Sequence, residues 1–502
     1  MITTRIRPIM NNTSTHTNTK TSTTILTKRS ATATTTTTTT SIPKQSSMSG
    51  QSKHAILIPS ALNSLLHTDK QIKYHFYSLG GDFIRLASYR RFKQLFQVGG
   101  GSLVKQFVFD LSTFLKEELN DINSLRHHQL KNFLTCNKTI LEKEKSMTLC
   151  DHHFGLKNWL YIIFGYMLQN YNEQEVNNCL DQLVSMYLEA RSNRFSINDI
   201  RIIRDERDQF ILSTFEQYLL DVPVRNDLLY NDNGNNEDVN YIILSNIKHH
   251  KRSNKNATIA SNKDNNTTNR INLPKLPKIK DKSLLVKSLM HKEFYRVLLD
   301  PNHYFGKKML DRNYSLDPQD YSLIRKELSI LDGLGDLFLA QETSKLIYEL
   351  ICQKNHININ SSTTYQLLKI MLATNTLMAK LTKAYNLYQG LDDSIINKRI
   401  AKEWLPFTIL GETPPHSESS DWQSKDEIRI YEEEFLGDFF ESYMAALLIE
   451  QPEVAKSFIR EIYHRILMVM TETLPPDITY QTWTSNILGR NIYRKKSESI
   501  QC

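Results

Sequence analysis

Two short acidic motifs, about one hundred residues apart, constrain the fold of this chain most strongly. Asp332 and Asp336 bracket the first motif, and Asp438 and Glu441 bracket the second. Because helical residues three or four positions apart share a face, each motif predicts a helix with two neighbouring carboxylates. Both motifs lie in apolar stretches, so two packed helices would gather four carboxylates. Such a cluster is a site for hard divalent cations such as Mg²⁺, and metal sites of this kind cleave phosphodiesters.

The composition is that of a globular protein. Hydrophobic residues make up 40% of the 502 residues and charged residues 23%, which is ordinary for such proteins. No apolar run reaches the roughly 18 residues of a membrane span, so no membrane partner is expected. The net charge of +8 permits a polyanionic partner without requiring one. The five cysteines form no CxxC pair, and we expect reduced thiols of an intracellular protein.

Residues 1–53 are predicted to be a disordered leader. The first 68 residues contain no Asp or Glu, and Ser, Thr and Asn dominate them. A basic, hydroxyl-rich leader without acids resembles a mitochondrial transit peptide, which predicts a mitochondrial location. The threonine tract at 34–40 favours the alternative of a low-complexity tail. A basic cluster at 248–252 leaves the nucleus as a second location, although a solvated charge run explains it as well.

The periodicity of apolar residues predicts an all-α chain with two globular segments. The first segment spans residues 54–230 and the second spans 271–470. The polar stretch 231–270, rich in Asn, Asp and Lys, is predicted to be a disordered linker. Residues 471–502 are predicted to form a basic C-terminal tail.

The second segment carries four motifs in a fixed order. They lie at 273–292, which ends in Met290-His291-Lys292, and at 332–336, 368–375 and 438–446. Together they resemble the opening helix, the signature motif, the following helix and the last conserved helix of the ribonuclease III catalytic domain. The resemblance covers residues 273–470 and includes all four positions at which that family binds metal.

The resemblance implies a Mg²⁺-dependent endoribonuclease of RNA processing that cleaves double-stranded or structured RNA, with Mn²⁺ as an alternative metal. Asp332, Asp336, Asp438 and Glu441 would be its catalytic metal ligands. The family usually has Glu where this chain has Asp332, one methylene shorter. Gly333 also replaces a bulky apolar residue, which weakens the helix by about 1 kcal/mol. The shorter side chain of Asp332 weakens a metal site whose geometry is demanding.

The first segment resembles a degenerate copy of the same domain. Residues 79–82 parallel the signature motif, and the helix at 160–168 parallels the last conserved helix. In this alignment Ser78 matches Asp332, Lys157 and Leu160 match Asp438 and Glu441, and Asp82 is the one acid that remains. This half would not hold metals. The alternative is an unrelated helical domain.

Domains of this family resemble obligate pairs, which leaves two arrangements open. The two halves could pair within one chain, or two chains could form a homodimer through their second halves. Residues 471–502 are too few for the double-stranded-RNA-binding domain that most family members carry. We therefore expect weak independent RNA binding, or a ribosomal or other protein partner that presents the RNA.

The alternative function is a catalytically inactive RNA-binding scaffold. The ribonuclease III-like proteins of the mitochondrial large ribosomal subunit are an example. The leader, the degenerate first half and Asp332 favour this interpretation, whereas four clustered like charges argue against it, because they repel one another. A third and weaker interpretation is a helical protein-interaction module with chance motif matches.

Overall fold

The computed structural model describes residues 70–96, 101–121, 156–191, 206–230, 240–243, 270–294, 302–352, 362–391 and 425–473, with 123, 126 and 130. These residues are mostly helical, so the all-α prediction is confirmed at this level. The predicted leader lies outside the described residues, and so does the predicted tail after residue 473. No helix of the described part combines the length and the apolarity that a membrane span requires.

Thirteen α-helices and one two-stranded sheet occur in the described ranges. In chain order they are α1 Lys70–Phe96, α2 Gly101–Asn120, α3 Leu156–Asn170, α4 Glu173–Arg191, α5 Glu206–Asp221, α6 Asn226–Tyr230, β1 Tyr241–Ile243, β2 Arg270–Asn272, α7 Lys282–Ser288, α8 Tyr304–Asp311, α9 Pro318–Cys352, α10 Ser362–Leu372, α11 Asn375–Ala384, α12 Lys425–Glu450 and α13 Pro452–Thr473. A 3₁₀ turn at Lys292–Phe294 follows α7, and another at Leu387–Gln389 follows α11.

Several helices begin where the sequence provides a cap. The carboxylate of Asp281 accepts a hydrogen bond from the backbone N–H of Leu284 at 3.0 Å and so starts α7. Thr374 does the same for α11 through its hydroxyl group. Helices α9 and α13 begin at prolines, whose missing N–H costs nothing in the first turn. Local chemistry therefore sets the starts of these four helices.

Helices α9 and α12 cross in backbone contact at Gly335. A methyl group at this position would lie 2.0 Å from the carbonyl oxygen of Glu441, so only glycine allows the approach. Helices α1 and α3 also cross in backbone contact. A methyl group at Gly80 would lie 1.8 Å from the carbonyl oxygen of Tyr161. Both crossings bring the middle of one helix against the backbone of the other.

Helix α1 packs along α9 and joins the two halves of the chain. The Tyr89 hydroxyl donates to the backbone carbonyl of Ile330 at 3.1 Å. The hydroxyl groups of Ser78 and Ser344 lie 3.4 Å apart. The buried apolar side chains of both halves form one continuous core.

The predicted division into two segments does not coincide with a gap in the packing. Helix α5 lies at the end of the first predicted segment, yet its Glu216 pairs with Lys287 of α7. The hydroxyl groups of Tyr230, in α6, and Tyr443, in α12, lie 3.2 Å apart. The described residues all belong to one compact unit.

The stretch 231–270, which is predicted to be a disordered linker, contains strand β1 and the first residue of β2. Strand β1 lies inside this stretch and pairs in antiparallel register with β2, with Ile242 opposite Ile271. Both isoleucines are buried, and the Arg270 guanidinium lies 3.9 Å from the centre of the Tyr241 ring. The polar average of the stretch concealed its short apolar run. Residues 231–239 and 244–269 lie outside the described residues.

Candidate metal centre

Three of the four predicted site residues come together where α9 and α12 cross. Asp332 lies on α9, one turn before Gly335, and Asp438 and Glu441 lie one turn apart on α12. Each offers a carboxylate oxygen, and these three oxygens lie within 4.8 Å of one another. Asp438 and Glu441 are each 7% exposed, so the cluster is largely withdrawn from water.

Asp336, the fourth predicted site residue, lies at the rim of this cluster. It is exposed and is not part of the three-oxygen group. Desolvation, and then repulsion from Asp332, nevertheless raise the pKa of its carboxyl group. The Arg85 side chain of α1 is close enough to oppose that rise. The charge of Asp336 therefore interacts with the cluster, but its carboxylate lies outside the three-oxygen group.

Burial and mutual repulsion disfavour the charged form of the carboxyl groups in the cluster. Desolvation, followed by repulsion from Asp332, raises the pKa of the Glu441 carboxyl well above its ordinary value. Desolvation and the charge of Asp438 raise the pKa of Asp332 in the same way. Repulsion between the Asp332 and Glu441 carboxylates favours a proton on one of the two, which is the direction of both pKa shifts. Three carboxylates at this spacing need a compensating positive charge.

Lys292 supplies positive charge to the cluster from the 3₁₀ turn after α7. Its Nζ lies 2.8 Å from Oδ2 of Asp332 and 2.7 Å from Oδ2 of Asp438. Burial acts to lower the pKa of Lys292, but attraction to these two carboxylates outweighs it and raises the pKa above its ordinary value. The ammonium group is therefore charged and bridges α9 to α12.

His291 fixes the orientation of Asp438. Its Nδ1 accepts a hydrogen bond from the backbone N–H of Glu293 at 3.2 Å, which leaves Nε2 to carry the proton of the neutral ring. Nε2 lies 3.0 Å from Oδ2 of Asp438 and donates to it. Although burial acts to raise the pKa of Asp438, the hydrogen bond from His291 and the charge of Lys292 hold it below its ordinary value.

The donor set fits a hard divalent cation. Carboxylate oxygens are the ligands that Mg²⁺ and Mn²⁺ take in proteins, and two helices in backbone contact hold these three rigidly. Asp332, Asp438 and Glu441 would hold such an ion. The acidic motifs alone predict no role for His291 or Lys292. The sequence signal for both residues is their place at the end of the opening stretch of the resemblance, Met290-His291-Lys292.

Comparison with known proteins adds nothing to this geometry. No family model, curated protein or solved structure matches the chain. The resemblance to ribonuclease III therefore rests on the four motifs quoted above and carries expectations alone.

Proposed function

We propose that this chain is a Mg²⁺-dependent endoribonuclease of the ribonuclease III type that acts on double-stranded or structured RNA. The observation that carries the proposal is the convergence of Asp332, Asp438 and Glu441 from two distant helices. The chemistry that a bound Mg²⁺ supplies is activation of water and neutralisation of phosphate charge, so no nucleophilic side chain is needed. The residues of this chain orient the ion and withdraw it from bulk water.

The two helix crossings support a duplicated domain. Gly80 approaches the carbonyl oxygen of Tyr161, and Gly335 approaches that of Glu441. The first helix of each pair is the one on which the sequence analysis recognised a signature motif. The two glycines are 255 positions apart in the chain. In the register that this separation defines, each residue of α1 corresponds to the residue 255 positions later, in α9.

The contacts between α1 and α9 support an internal pair in the same register. A methyl group at Gly333 would meet the Tyr89 hydroxyl at 3.3 Å, and Ser344 meets Ser78 at 3.4 Å. The same 255 positions separate Ser78 from Gly333 and Tyr89 from Ser344. Two copies related by a two-fold axis make contacts in reciprocal pairs: if residue i of one copy contacts residue j of the other, then residue j of the first contacts residue i of the second. The arrangement favours pairing within the chain over a homodimer through the second halves.

In this register the first half carries two tyrosines where the second half carries acids. Tyr77 corresponds to Asp332 and Tyr161 to Glu441, each one residue away from the match that the sequence alignment made. Their ring centres lie 5.5 Å apart. A chain with one acidic cluster and one aromatic pair would hydrolyse one strand of a duplex at each encounter.

The test is cleavage of long duplex RNA by the purified protein in the presence of Mg²⁺. We expect the wild type to leave 5′-phosphate and 3′-hydroxyl ends. The double variant Asp438→Asn, Glu441→Gln should lose cleavage by at least about 10³-fold, because metal activation of water supplies the rate. Glu434→Gln, an exposed change on the same helix, is the matched control and should cleave as the wild type does. A wild type as inactive as the double variant would reject the proposal.

One observation favours the second candidate function, an inactive RNA-binding scaffold. Lys292 already forms ion pairs with both Asp332 and Asp438 and offsets part of their charge, which a cluster retained for packing alone requires. Under this function the protein would sediment with ribosomes and would leave duplex RNA intact in Mg²⁺.

A further inference from the structure

Lys292 contacts the same oxygen atoms that a divalent cation would use. Its ammonium group lies within hydrogen-bond distance of Oδ2 of Asp332, on α9, and of Oδ2 of Asp438, on α12. Mg²⁺ binds carboxylate oxygens at about 2.0–2.1 Å. An ammonium group and a divalent cation on the same two oxygens would repel each other strongly at that separation.

The backbone that carries Lys292 is fixed on both sides of the lysine. His291 is bonded to Asp438 of α12. The buried carboxylate of Glu293 accepts hydrogen bonds from Arg325 of α9, at 3.0 Å from Nε and 2.8 Å from Nη2. The turn is thus attached to both helices of the crossing.

The side chain of Lys292, unlike its backbone, is free to change conformation. It has a flexible four-carbon stem, and the side chain is 20% exposed, so part of it already borders water. The lysine can therefore withdraw its charge from the cluster while the turn and the two helices stay where they are.

We propose that Lys292 and a divalent cation compete for one position between Asp332 and Asp438, so that this lysine sets the metal affinity of the centre. The inference rests on the proposed metal-dependent function, because it requires that the cluster bind a cation. In the cation-bound protein the ammonium group lies outside the cluster. Removing it therefore makes cation binding tighter, whereas a residue that merely orients the ligands would make binding weaker when removed.

The test measures Mn²⁺ binding by electron paramagnetic resonance of the free ion, with no RNA present. Lys292→Met keeps the apolar stem and removes the charge, and we expect it to lower the Mn²⁺ dissociation constant at least about tenfold. Lys292→Arg keeps the charge and should bind Mn²⁺ as weakly as the wild type does. Lys326→Met, an exposed change on α9, is the control for the loss of one positive charge and should behave as the wild type.

Thermal unfolding provides a second readout. Without divalent cations, Lys292→Met should unfold at a lower temperature than the wild type, since three carboxylates then lack their cation. Mn²⁺ should raise its unfolding temperature more than that of the wild type. If Lys292→Met does not fold, Lys292→Gln, which also lacks the charge, replaces it with the same expected directions.

The outcomes separate this inference from the function on which it rests. Equal or weaker Mn²⁺ binding by Lys292→Met would overturn the competition and leave the metal centre intact. Failure of the wild type and of every variant to bind Mn²⁺ would overturn the proposed metal-dependent function itself, and the competition with it.

Discussion

His75 illustrates how burial decides the chemistry of a single side chain. It is 3% exposed, its Nδ1 lies 3.2 Å from the Tyr365 hydroxyl, and its ring stacks on Tyr348 with centres 3.8 Å apart. Desolvation, and then the positive charge of Lys369, hold the pKa of His75 well below its ordinary value. The residue is therefore a neutral part of the contact between α1 and α9.

This environment predicts that stability falls in mild acid. Below a pH of about 6.5 the unfolded chain protonates this histidine while the folded chain does not. The unfolded state then binds more protons, so the free energy of unfolding falls with pH from about 6.5 down to the lowered pKa of the folded state. We expect His75→Phe, which keeps a stacking ring, to reduce this fall. Urea unfolding at pH 7.5, 6.5 and 5.5 measures it, with His464→Gln as the control. Identical slopes for His75→Phe and the wild type would contradict the assignment.

At the scale of elements, two glycines of α9 that lie two residues apart, and so on opposite faces of the helix, make a matched pair. Gly335→Ala places a methyl group against the backbone carbonyl of Glu441, which cannot move without separating α9 from α12. We expect a loss of about 3 kcal/mol or more in the free energy of unfolding. Gly333→Ala meets the end of the Tyr89 side chain at 3.3 Å and gains helix propensity, so it should lie within about 1 kcal/mol of the wild type. Urea unfolding followed by circular dichroism measures both, and equal losses would argue against backbone contact at Gly335.

The sequence predicted the helices of the site better than their crossing. Apolar periodicity and the three- and four-residue spacings identified α9 and α12 and the face of each that carries acids. Asp336 nevertheless lies at the rim, because each residue turns a helix by about 100°: Asp336 is about 100° around α9 from the contact at Gly335, whereas Asp332 is only about 60° from it.

Two other features had no periodic signal. Lys292 reaches the site from a short turn, forty residues before Asp332, and no spacing rule connects a lone lysine to a distant helix. Strand β1 is three residues long and lies in a polar stretch whose average composition predicts a linker. Both features depend on tertiary contacts, which a single sequence does not display.

At the scale of the whole molecule, a buried ion pair joins the two halves. Asp82 of α1 is 1% exposed and pairs with Lys369 of α10. The Ser344 hydroxyl donates to the same carboxylate at 2.7 Å, and Lys369 also donates to the Ser78 hydroxyl at 2.7 Å. Burying a carboxylate in this way is tolerated only while its cation stays. The pair therefore couples the stability of the first half to that of the second.

We expect Lys369→Met to cost about 3 kcal/mol or more in the free energy of unfolding, because it leaves the buried Asp82 with only the longer ion pair to Arg85, at 3.7 Å. Asp82→Asn combined with Lys369→Met should recover part of this loss, since the amide is neutral. A double-mutant cycle in urea measures the coupling. Additive effects of the two changes would mean that the pair contributes no coupling.

Hydrogen exchange then decides how far that loss spreads. The apolar core runs without a break from α1 to α9, so we expect both halves to open in one cooperative step. Lys369→Met should lower the protection of the slowest amides of α3 and of α12 by the same free energy, although neither helix carries the substitution. Loss of protection confined to the α1 and α10 amides would mean that the halves open independently. In that case the two halves of the chain would not stabilise each other, and a homodimer through the second halves would become the better arrangement.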